Sequence, residues 1–309
     1  MTQSRVTDDV DLAASVLQNG GIVGMPTETV YGLAALANNE TAVARVFEVK
    51  GRPRSHPLII HLASADELEK WGVLDDNARR LAAAFMPGPL TLLVPRTPLV
   101  PDWVTGGRDT VALRVPDHPV ALRLLESVAT GVVAPSANRF GRVSPTTAQH
   151  VVTDLGNDVD LVLDGGPCRV GVESTIVECA VGEVRILRHG AVSEEDIIAT
   201  LSVRIESDSG DSRAPGMLKS HYAPRARVLL VETDSEARAV AQSSEDAGKK
   251  AFVMNHADVR EYAECLYSDM RRADQNGVAV IVAVLPPEQG IGRAVRDRLA
   301  KAAANQSND

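Results

Sequence analysis

Three cations at alternate positions mark the segment KGRPRSHPLIIH, which runs from residue 50 to residue 61. Gly51 and Pro53 disfavour a helix there, and the residue before a proline prefers extended backbone. Side chains two residues apart on an extended chain project to the same side. The spacing therefore predicts that Lys50, Arg52 and Arg54 line one wall, where a phosphate or carboxylate would relieve their repulsion. The alternative is a solvated basic loop without a ligand.

Polar side chains also gather where a predicted strand ends. In PTETVYGL (26–33), Thr27, Glu28, Thr29 and Tyr31 follow an apolar segment that ends at a proline. Ligands of open α/β sheets bind at the carboxyl ends of strands, so this position favours a binding site. The alternative is a strand-to-helix turn in which one of the threonines caps the helix.

The segment APSANRFGRVSPTTA (134–148) repeats this arrangement. Ser136 and Asn138 come directly after a predicted strand, as small polar groups at its end. Ser144 is predicted to cap a helix, with a proline at the first helical position. Because a helix N-terminus attracts anions, the segment is a second candidate for contact with a phosphate.

Two further segments are weak signals on their own. DGGPCRVGVESTIVE (164–178) combines glycines, which let backbone approach a ligand, with Ser174 at the entry to a strand. DTVALRVPDHP (109–119) puts Thr110 and Arg114 on one face of a strand. A partly buried arginine needs an anionic partner, which can be a substrate or a carboxylate of the protein itself.

The chain offers binding groups rather than an evident nucleophile. Its 7 histidines include no HxxxH or HExxH pair, so we predict no metal site built by the protein. No nucleophile elbow or local cysteine–histidine pair is present.

The elements that must position these groups alternate between strands and helices. The length of 309 residues favours two domains, and 44% hydrophobic and 24% charged residues are typical of a soluble globular protein. Predicted strands lie at 21–25, 57–62, 90–94, 111–115, 131–134, 160–164, 174–179 and 183–187. Predicted helices lie at 8–19, with Thr7 as N-cap, and at 40–49, 76–85, 118–127, 146–155 and 193–201. This pattern predicts one α/β domain with a mixed sheet over residues 1–202.

The remainder divides into a linker and a second domain. Residues 203–225 begin acidic and rich in serine and glycine, as linkers do, and continue into a mixed apolar, basic and aromatic stretch. From residue 226 to 309 the alternation restarts as a small βαβαβα unit, which predicts a Rossmann-like parallel sheet in three layers.

Taken together, the ordered segments GGIVGMPTETVYGLAALA, VFEVKGRPRSHPLIIHL, MPGPLTLLV, DTVALRVPDHP, APSANRFGRVSPTTA, DGGPCRVGVESTIVE and RAPGMLKSHYAP carry a family resemblance. The chain resembles the YrdC-like threonylcarbamoyl-AMP synthases, in the long form that has a second C-terminal domain. The resemblance implies a twisted YrdC-like mixed sheet in the first domain.

It also implies an activity. Members of the family join L-threonine, bicarbonate and ATP into threonylcarbamoyl-adenylate and pyrophosphate, with magnesium expected on the triphosphate. Downstream transferase proteins then pass the threonylcarbamoyl group to tRNA. All three substrates carry anions, which suits a concentrated group of cations.

The resemblance further assigns roles to individual residues. It implies catalytic roles for Lys50 and Arg52. For threonine and carbamate it implies Thr27, His61, Arg114 and Ser174. For ATP it implies Lys50, Arg52, Arg54, Thr110, Ser136, Asn138, Ser144, Arg188 and Tyr222. Tyr222 would come from the interdomain segment, folding over the cavity as a lid that excludes water.

Two other functions stay open on the sequence alone. The same fold could bind tRNA or double-stranded RNA without making an adenylate, although a net charge of -9 argues against broad contact with nucleic acid. The chain could also form a carbamoyl-adenylate from an amine other than threonine or with a different carbamoyl donor. No signal peptide or membrane segment is evident, and 3 scattered cysteines favour a reducing environment, so we predict a cytoplasmic protein.

Overall fold

The structure is a computed structural model, and it describes residues 5–180, 183–202, 206–207 and 222–304. Most of the segment predicted as an interdomain linker and lid, residues 203–205 and 208–221, lies outside the described residues. The end of that segment, residues 222–225, is described.

The described part of the first domain is built on an eleven-stranded mixed sheet in the order β1-β8-β2-β3-β7-β4-β6-β5-β9-β10-β11. Its strands are β1 Arg5–Thr7, β2 Val23–Met25, β3 Gly32–Leu36, β4 Ile59–His61, β5 Leu90–Pro95, β6 Thr110–Arg114, β7 Val132–Val133, β8 Leu161–Leu163, β9 Thr175–Ala180, β10 Glu183–Arg188 and β11 Glu206–Ser207. The central strand β4 runs parallel to β6 and antiparallel to β7. The predicted mixed sheet is confirmed.

Helices cover both faces of this sheet. They are α1 Val10–Gln18, α2 Glu40–Lys50, α3 Leu68–Trp71, α4 Asp76–Phe85, α5 Asp102–Thr105, α6 Pro119–Val128, α7 Ala148–Leu155 and α8 Glu194–Leu201, with short 3₁₀ turns at Ala65–Glu67 and Gly156–Asp158. One apolar cluster joins α2, α4 and α7 to the sheet, and another joins α1 and α6 to β2 and β8. Burial on both faces explains why Val, Leu and Ile dominate many of the strands.

Two predicted helix starts are wrong because a nearer side chain accepts the orphan N–H. Asp9, not Thr7, caps α1, accepting from the backbone of Leu12. Thr147, not Ser144, caps α7, accepting from the backbone of His150.

The segment after β2 does not lead into a helix. It reverses direction into β3, which pairs antiparallel with β2. The expected alternative of a helix-capping threonine is therefore wrong. Thr27 Oγ1 instead donates to the backbone oxygen of Val30 at 2.6 Å and accepts from the backbone of Thr29 and Val30, so it closes the turn internally.

The second domain has a three-stranded parallel sheet, as predicted, and its strand order is β12-β14-β13. Its strands are β12 Arg227–Val231, β13 Ala251–Met254 and β14 Val280–Val284, and its helices are α9 Asp234–Asp246, α10 Val259–Gln275 and α11 Gly292–Ala304. Helix α9 packs on one face, while α10 and α11 pack on the other. The apolar cluster around α10 and α11 also includes Val30, Val143 and Val172 of the first domain, so the two domains share a core.

Candidate active site

A small cavity lies where the ends of several strands of the large sheet meet the second domain. It is lined by Thr29, Val30, Arg52, Leu58, Ile59, His61, Arg114, Ala134, Pro135, Ser136, Glu173, Ser174, Arg188 and Tyr222. Its volume is about 50 Å³, far below the roughly 300–1,000 Å³ of pockets that hold small ligands. The predicted site residues that line it are Arg52, His61, Arg114, Ser136, Ser174, Arg188 and Tyr222.

Parallel pairing of β4 and β6 places His61 and Arg114 side by side, since they are register partners. Both are buried, at 2% and 4% exposure. Arg114 Nη2 lies 2.7 Å from Glu28 Oε2, so the arginine has the protein carboxylate that burial demands. Burial first, and then the charge of Arg114, lower the pKa of His61 to about 3, so its imidazole is neutral at neutral pH.

Ser174 and Arg188 form the next part of the wall. Arg188, at the end of β10, donates from Nε to the backbone oxygen of Ser174 and from Nη2 to its Oγ, both at 3.0 Å. The Ser174 hydroxyl also lies 2.7 Å from Thr91 Oγ1. This network fixes Arg188, whose pKa burial lowers from its ordinary value.

The predicted wall of three cations is wrong in its geometry. Lys50 is the last residue of α2, and Gly51 follows in the left-handed region at φ 64° as the helix C-cap. A glycine in the left-handed region commonly terminates a helix, so the residue before it is still helical. A lysine in the last helical turn is stabilised by the helix dipole. Lys50, Arg52 and Arg54 are therefore not on one extended chain.

Each of the three cations has a different environment. Lys50 is 3% exposed, and its Nζ donates to the backbone oxygens of Ser136 and Asn138, the latter at 2.7 Å. Burial, and then Arg52, lower the pKa of Lys50 well below its usual range. Arg52 is half-buried and lines the cavity, while Arg54 is exposed and is not among the lining residues.

Arg52 is held but still available to a ligand. Its Nη2 donates to the backbone oxygen of Pro57 at 3.1 Å, and its guanidinium lies 5.9 Å from the centre of the Phe140 ring. Its Nε is buried and has no hydrogen-bond partner within the described parts of the chain. Burial lowers the pKa of Arg52 to about 10, with a further contribution from Arg188, so it stays cationic at neutral pH.

The other predicted site residues lie outside the cavity lining: Thr27, Lys50, Arg54, Thr110, Asn138 and Ser144. Thr110 lies at the opposite end of β6 from Arg114. Asn138 donates from its amide to the backbone oxygens of Arg139 and Arg142, both at 2.8 Å, and so shapes the loop after β7. Their roles in binding stay predictions.

Glu173 is a cavity residue that the sequence interpretation missed. It precedes Ser174 and is 7% exposed. Ser144 Oγ donates to its Oε1 at 2.7 Å, and Tyr267 of α10 donates to its Oε2 at 2.8 Å. Burial raises the pKa of Glu173, but Arg298, Arg188 and the Ser144 hydrogen bond outweigh burial and hold the pKa at about 2. In the sequence, the only sign that Glu173 is buried was its position between apolar and small residues in GVEST.

Tyr222 closes the cavity on the side of the second domain. It is 1% exposed, has φ 66°, and stacks on Tyr267 with 5.6 Å between ring centres. A large side chain in the left-handed region is strained and persists only where its surroundings hold it.

The cavity is a poor site for a resident metal. Glu173 is the only carboxylate among the described residues that line it, and hydrogen bonds and an ion pair already occupy both of its oxygens. Among the described residues, no group of three or more His, Cys, Asp or Glu side chains is placed to hold a metal ion. Over the same ranges, no helix has the length and apolarity that a bilayer crossing needs.

Two family models match the chain. The model described as "Telomere recombination" matches residues 15–190, and the model described as "Threonylcarbamoyl-AMP synthase, C-terminal domain" matches residues 192–304. Together they cover both domains.

Named relatives match over nearly the whole length. The threonylcarbamoyl-AMP synthase of Pyrococcus abyssi is 40% identical over 95% of this chain and 93% of its own. That of Bacillus subtilis is 36% identical over 99% and 96%. A crystal structure of P. abyssi Sua5 complexed with L-threonine superimposes with a TM-score of 0.91 at 39% identity, covering 98% of each chain. The chain therefore belongs to the threonylcarbamoyl-AMP synthase family, in its two-domain form.

Proposed function

We propose that the chain is a threonylcarbamoyl-AMP synthase, which converts L-threonine, bicarbonate and ATP into threonylcarbamoyl-adenylate and pyrophosphate. The proposal rests on one observation: in this member of the family, a single cavity contains two cationic parts. Arg114 with His61 and Ser174 forms one part, and Arg52 with Arg188 forms the other. An amino acid carboxylate suits the first part, and a polyphosphate suits the second.

The reaction needs positioning and charge stabilisation more than a protein nucleophile. Bicarbonate takes up the proton that the threonine ammonium group loses, and it releases water to give carbon dioxide. The neutral amine then forms a bond to the carbon of carbon dioxide and gives a second proton to solvent, which leaves a carbamate. An oxygen of the resulting carbamate then attacks the α-phosphorus of ATP, and the bond to the β-phosphate breaks to release pyrophosphate. Arg52 and Arg188 stabilise the charge that develops on the phosphates.

The threonine part of the cavity has a neutral hydrogen-bonding group and a cation. Because the pKa of His61 is about 3, its imidazole binds as a neutral donor or acceptor. Arg114 Nη2 faces Glu28 and its Nε donates to the backbone oxygen of Gly88, so its Nη1 can donate to the threonine carboxylate.

Magnesium would arrive with ATP as part of the substrate. Mg²⁺ keeps several waters and binds phosphate oxygens readily, so it does not need a cage of protein carboxylates. The scarcity of free carboxylates in the cavity agrees with that arrangement.

ATP cannot enter a cavity of about 50 Å³ without movement of a wall. Tyr222 is the lining residue that comes from the segment between the domains. We therefore assign to it the role of a lid that opens to admit ATP. A closed lid would exclude water from the adenylate, which is a mixed anhydride and hydrolyses easily.

Contact with tRNA and with downstream transferases remains part of the proposal. The cations predicted from the basic segment do not form an RNA surface, because Lys50 is buried and Arg52 faces the cavity. An RNA-binding role without adenylate synthesis is therefore the weaker hypothesis.

The test is an omission experiment. The purified protein is mixed with ATP, magnesium, bicarbonate and L-threonine, and each component is left out in turn. Pyrophosphate release and the adenylate adduct are followed, the latter by mass spectrometry. Release that requires threonine and bicarbonate together supports the synthase. Absence of an adduct with any amino acid, from folded protein, rules it out and leaves salt-sensitive RNA binding as the function to test.

A further inference from the structure

Arg298 of the second domain is a completely buried arginine, at 0% exposure, that reaches the wall of the cavity. Its Nε donates to Glu173 Oε2 at 3.0 Å, and its guanidinium carbon lies 5.4 Å from the centre of the Tyr222 ring. One side chain of α11 therefore contacts two cavity residues that come from different parts of the chain.

The Arg298 guanidinium is itself fixed in orientation. Its Nη1 donates to Asp297 Oδ2 at 2.7 Å, and Lys301, one turn further along α11, donates to the same oxygen at 2.9 Å. A planar group held at two edges can stack on a ring in only one plane. Tyr222 thus contacts both this guanidinium and the ring of Tyr267.

Both residues that Arg298 contacts need such support. Glu173 is a buried carboxylate, and Arg298 is its ion-pair partner among the described residues. Tyr222 has a left-handed backbone that is unfavourable for a large side chain, so contacts must hold it in place. Loss of Arg298 would remove the ion pair of Glu173 and one of the contacts of Tyr222 at once, although Ser144 and Tyr267 would still bind Glu173.

We propose that Arg298 is a positioning residue of the reaction, through which the second domain holds Glu173 and Tyr222 in the closed wall of the cavity. The inference rests on the proposed synthase function and adds a role for the second domain. Arg298 does not itself line the cavity, so it acts through the two residues that do. Without it, water would reach the adenylate before release.

The experiment compares Arg298→Met with Arg298→Lys and with a matched control, Arg293→Met. Arg293 lies on the same helix and also forms an interdomain ion pair, with Glu194 and with Glu195, the latter at 3.1 Å. It does not touch the cavity. All variants are assayed at matched folded fraction, determined by circular dichroism and thermal unfolding. Early time points give pyrophosphate released and intact adenylate recovered.

We expect Arg298→Met to lower kcat by about ten- to a hundredfold and to raise the ratio of pyrophosphate to intact adenylate. Arg293→Met should keep the wild-type ratio, because its half-buried ion pair lies away from the cavity and affects only how tightly the domains dock. Arg298→Lys keeps the charge beside Glu173 but lacks the planar group, so it should recover thermal stability more fully than it recovers the ratio. If Arg298→Met does not fold, the product ratio of Arg298→Lys tests the positioning role instead.

The inference is overturned if the Arg298 variants and Arg293→Met show the same kcat and the same product ratio. A merely structural role would lower pyrophosphate and adenylate in parallel and leave their ratio unchanged. If the wild-type protein itself forms no adenylate, the proposed function fails and the role of Arg298 falls with it. The two failures are therefore distinguishable by the wild-type measurement.

Discussion

Replacement of His61 by asparagine tests whether the cavity keeps this imidazole neutral. His61 is 2% exposed, and its Nδ1 has no hydrogen-bond partner in the part of the chain that the structure describes. Its pKa is about 3 in the folded protein, against about 6.5 in an unfolded chain. Between these two pKa values His61 is protonated in the unfolded state but not in the folded state. The free energy of unfolding therefore decreases as the pH falls below about 6.5.

The size of the effect follows from the two pKa values. Between pH 7 and pH 5 an unfolded histidine gains most of one proton while folded His61 gains almost none. Linkage then gives a loss of about 2 kcal/mol in the free energy of unfolding from this residue alone. His61→Asn removes the titrating group, so the wild-type protein should lose about 2 kcal/mol more than the variant over that range. Any cavity that the smaller side chain leaves costs the same at both pH values and cancels.

Guanidinium unfolding followed by tryptophan fluorescence measures this difference. The chain has 2 tryptophans, Trp71 and Trp103, and both lie in the first domain with His61. Between pH 7 and pH 8 the two proteins should change in parallel, which provides an internal control. Equal losses between pH 7 and pH 5 would refute the reasoning, because they would mean that folded His61 accepts a proton as readily as an unfolded histidine does.

Three other predictions concern the cations and the metal. Lys50→Met should lower kcat/KM for adenylate synthesis by about a hundredfold, since it frees two backbone oxygens beside the cavity; near-normal turnover would show that these bonds are unimportant. Arg52→Gln should raise the KM for ATP by about tenfold or more, whereas Arg54→Gln should raise it less because Arg54 is exposed outside the cavity. Equal effects in the two variants would contradict the described lining. Excess chelator should abolish pyrophosphate release and added magnesium should restore it; turnover that persists in chelator would argue against magnesium–ATP as the substrate.

Local sequence determined most of the elements correctly. The predicted helix at 76–85 has the observed bounds of α4, and the βαβαβα order of the second domain is confirmed. These elements depend on short-range patterns of apolar residues and caps, which a single sequence contains. The family assignment is also confirmed, because it rests on several ordered segments rather than on one motif.

The geometry of the basic segment was not determined in this way. Gly51 indicated that no helix passes through the basic segment, and Lys50 was expected to lie outside the helix. In the structure α2 includes Lys50 and ends there, with Gly51 as its C-cap. The strand β3 was also missed, because a short apolar segment becomes a strand only when a neighbouring strand pairs with it.

By itself, then, the sequence determined the α/β architecture, the family and the presence of histidine, serine and arginine groups that line the cavity. Only the tertiary structure decided which partner each charge receives. Arg114 pairs with Glu28, and Glu173 pairs with Arg298, 125 residues away along the chain. The physical reason is burial: a charge removed from water must be paired, but the partner is set by which strands and domains pack together, and not by spacing along the chain.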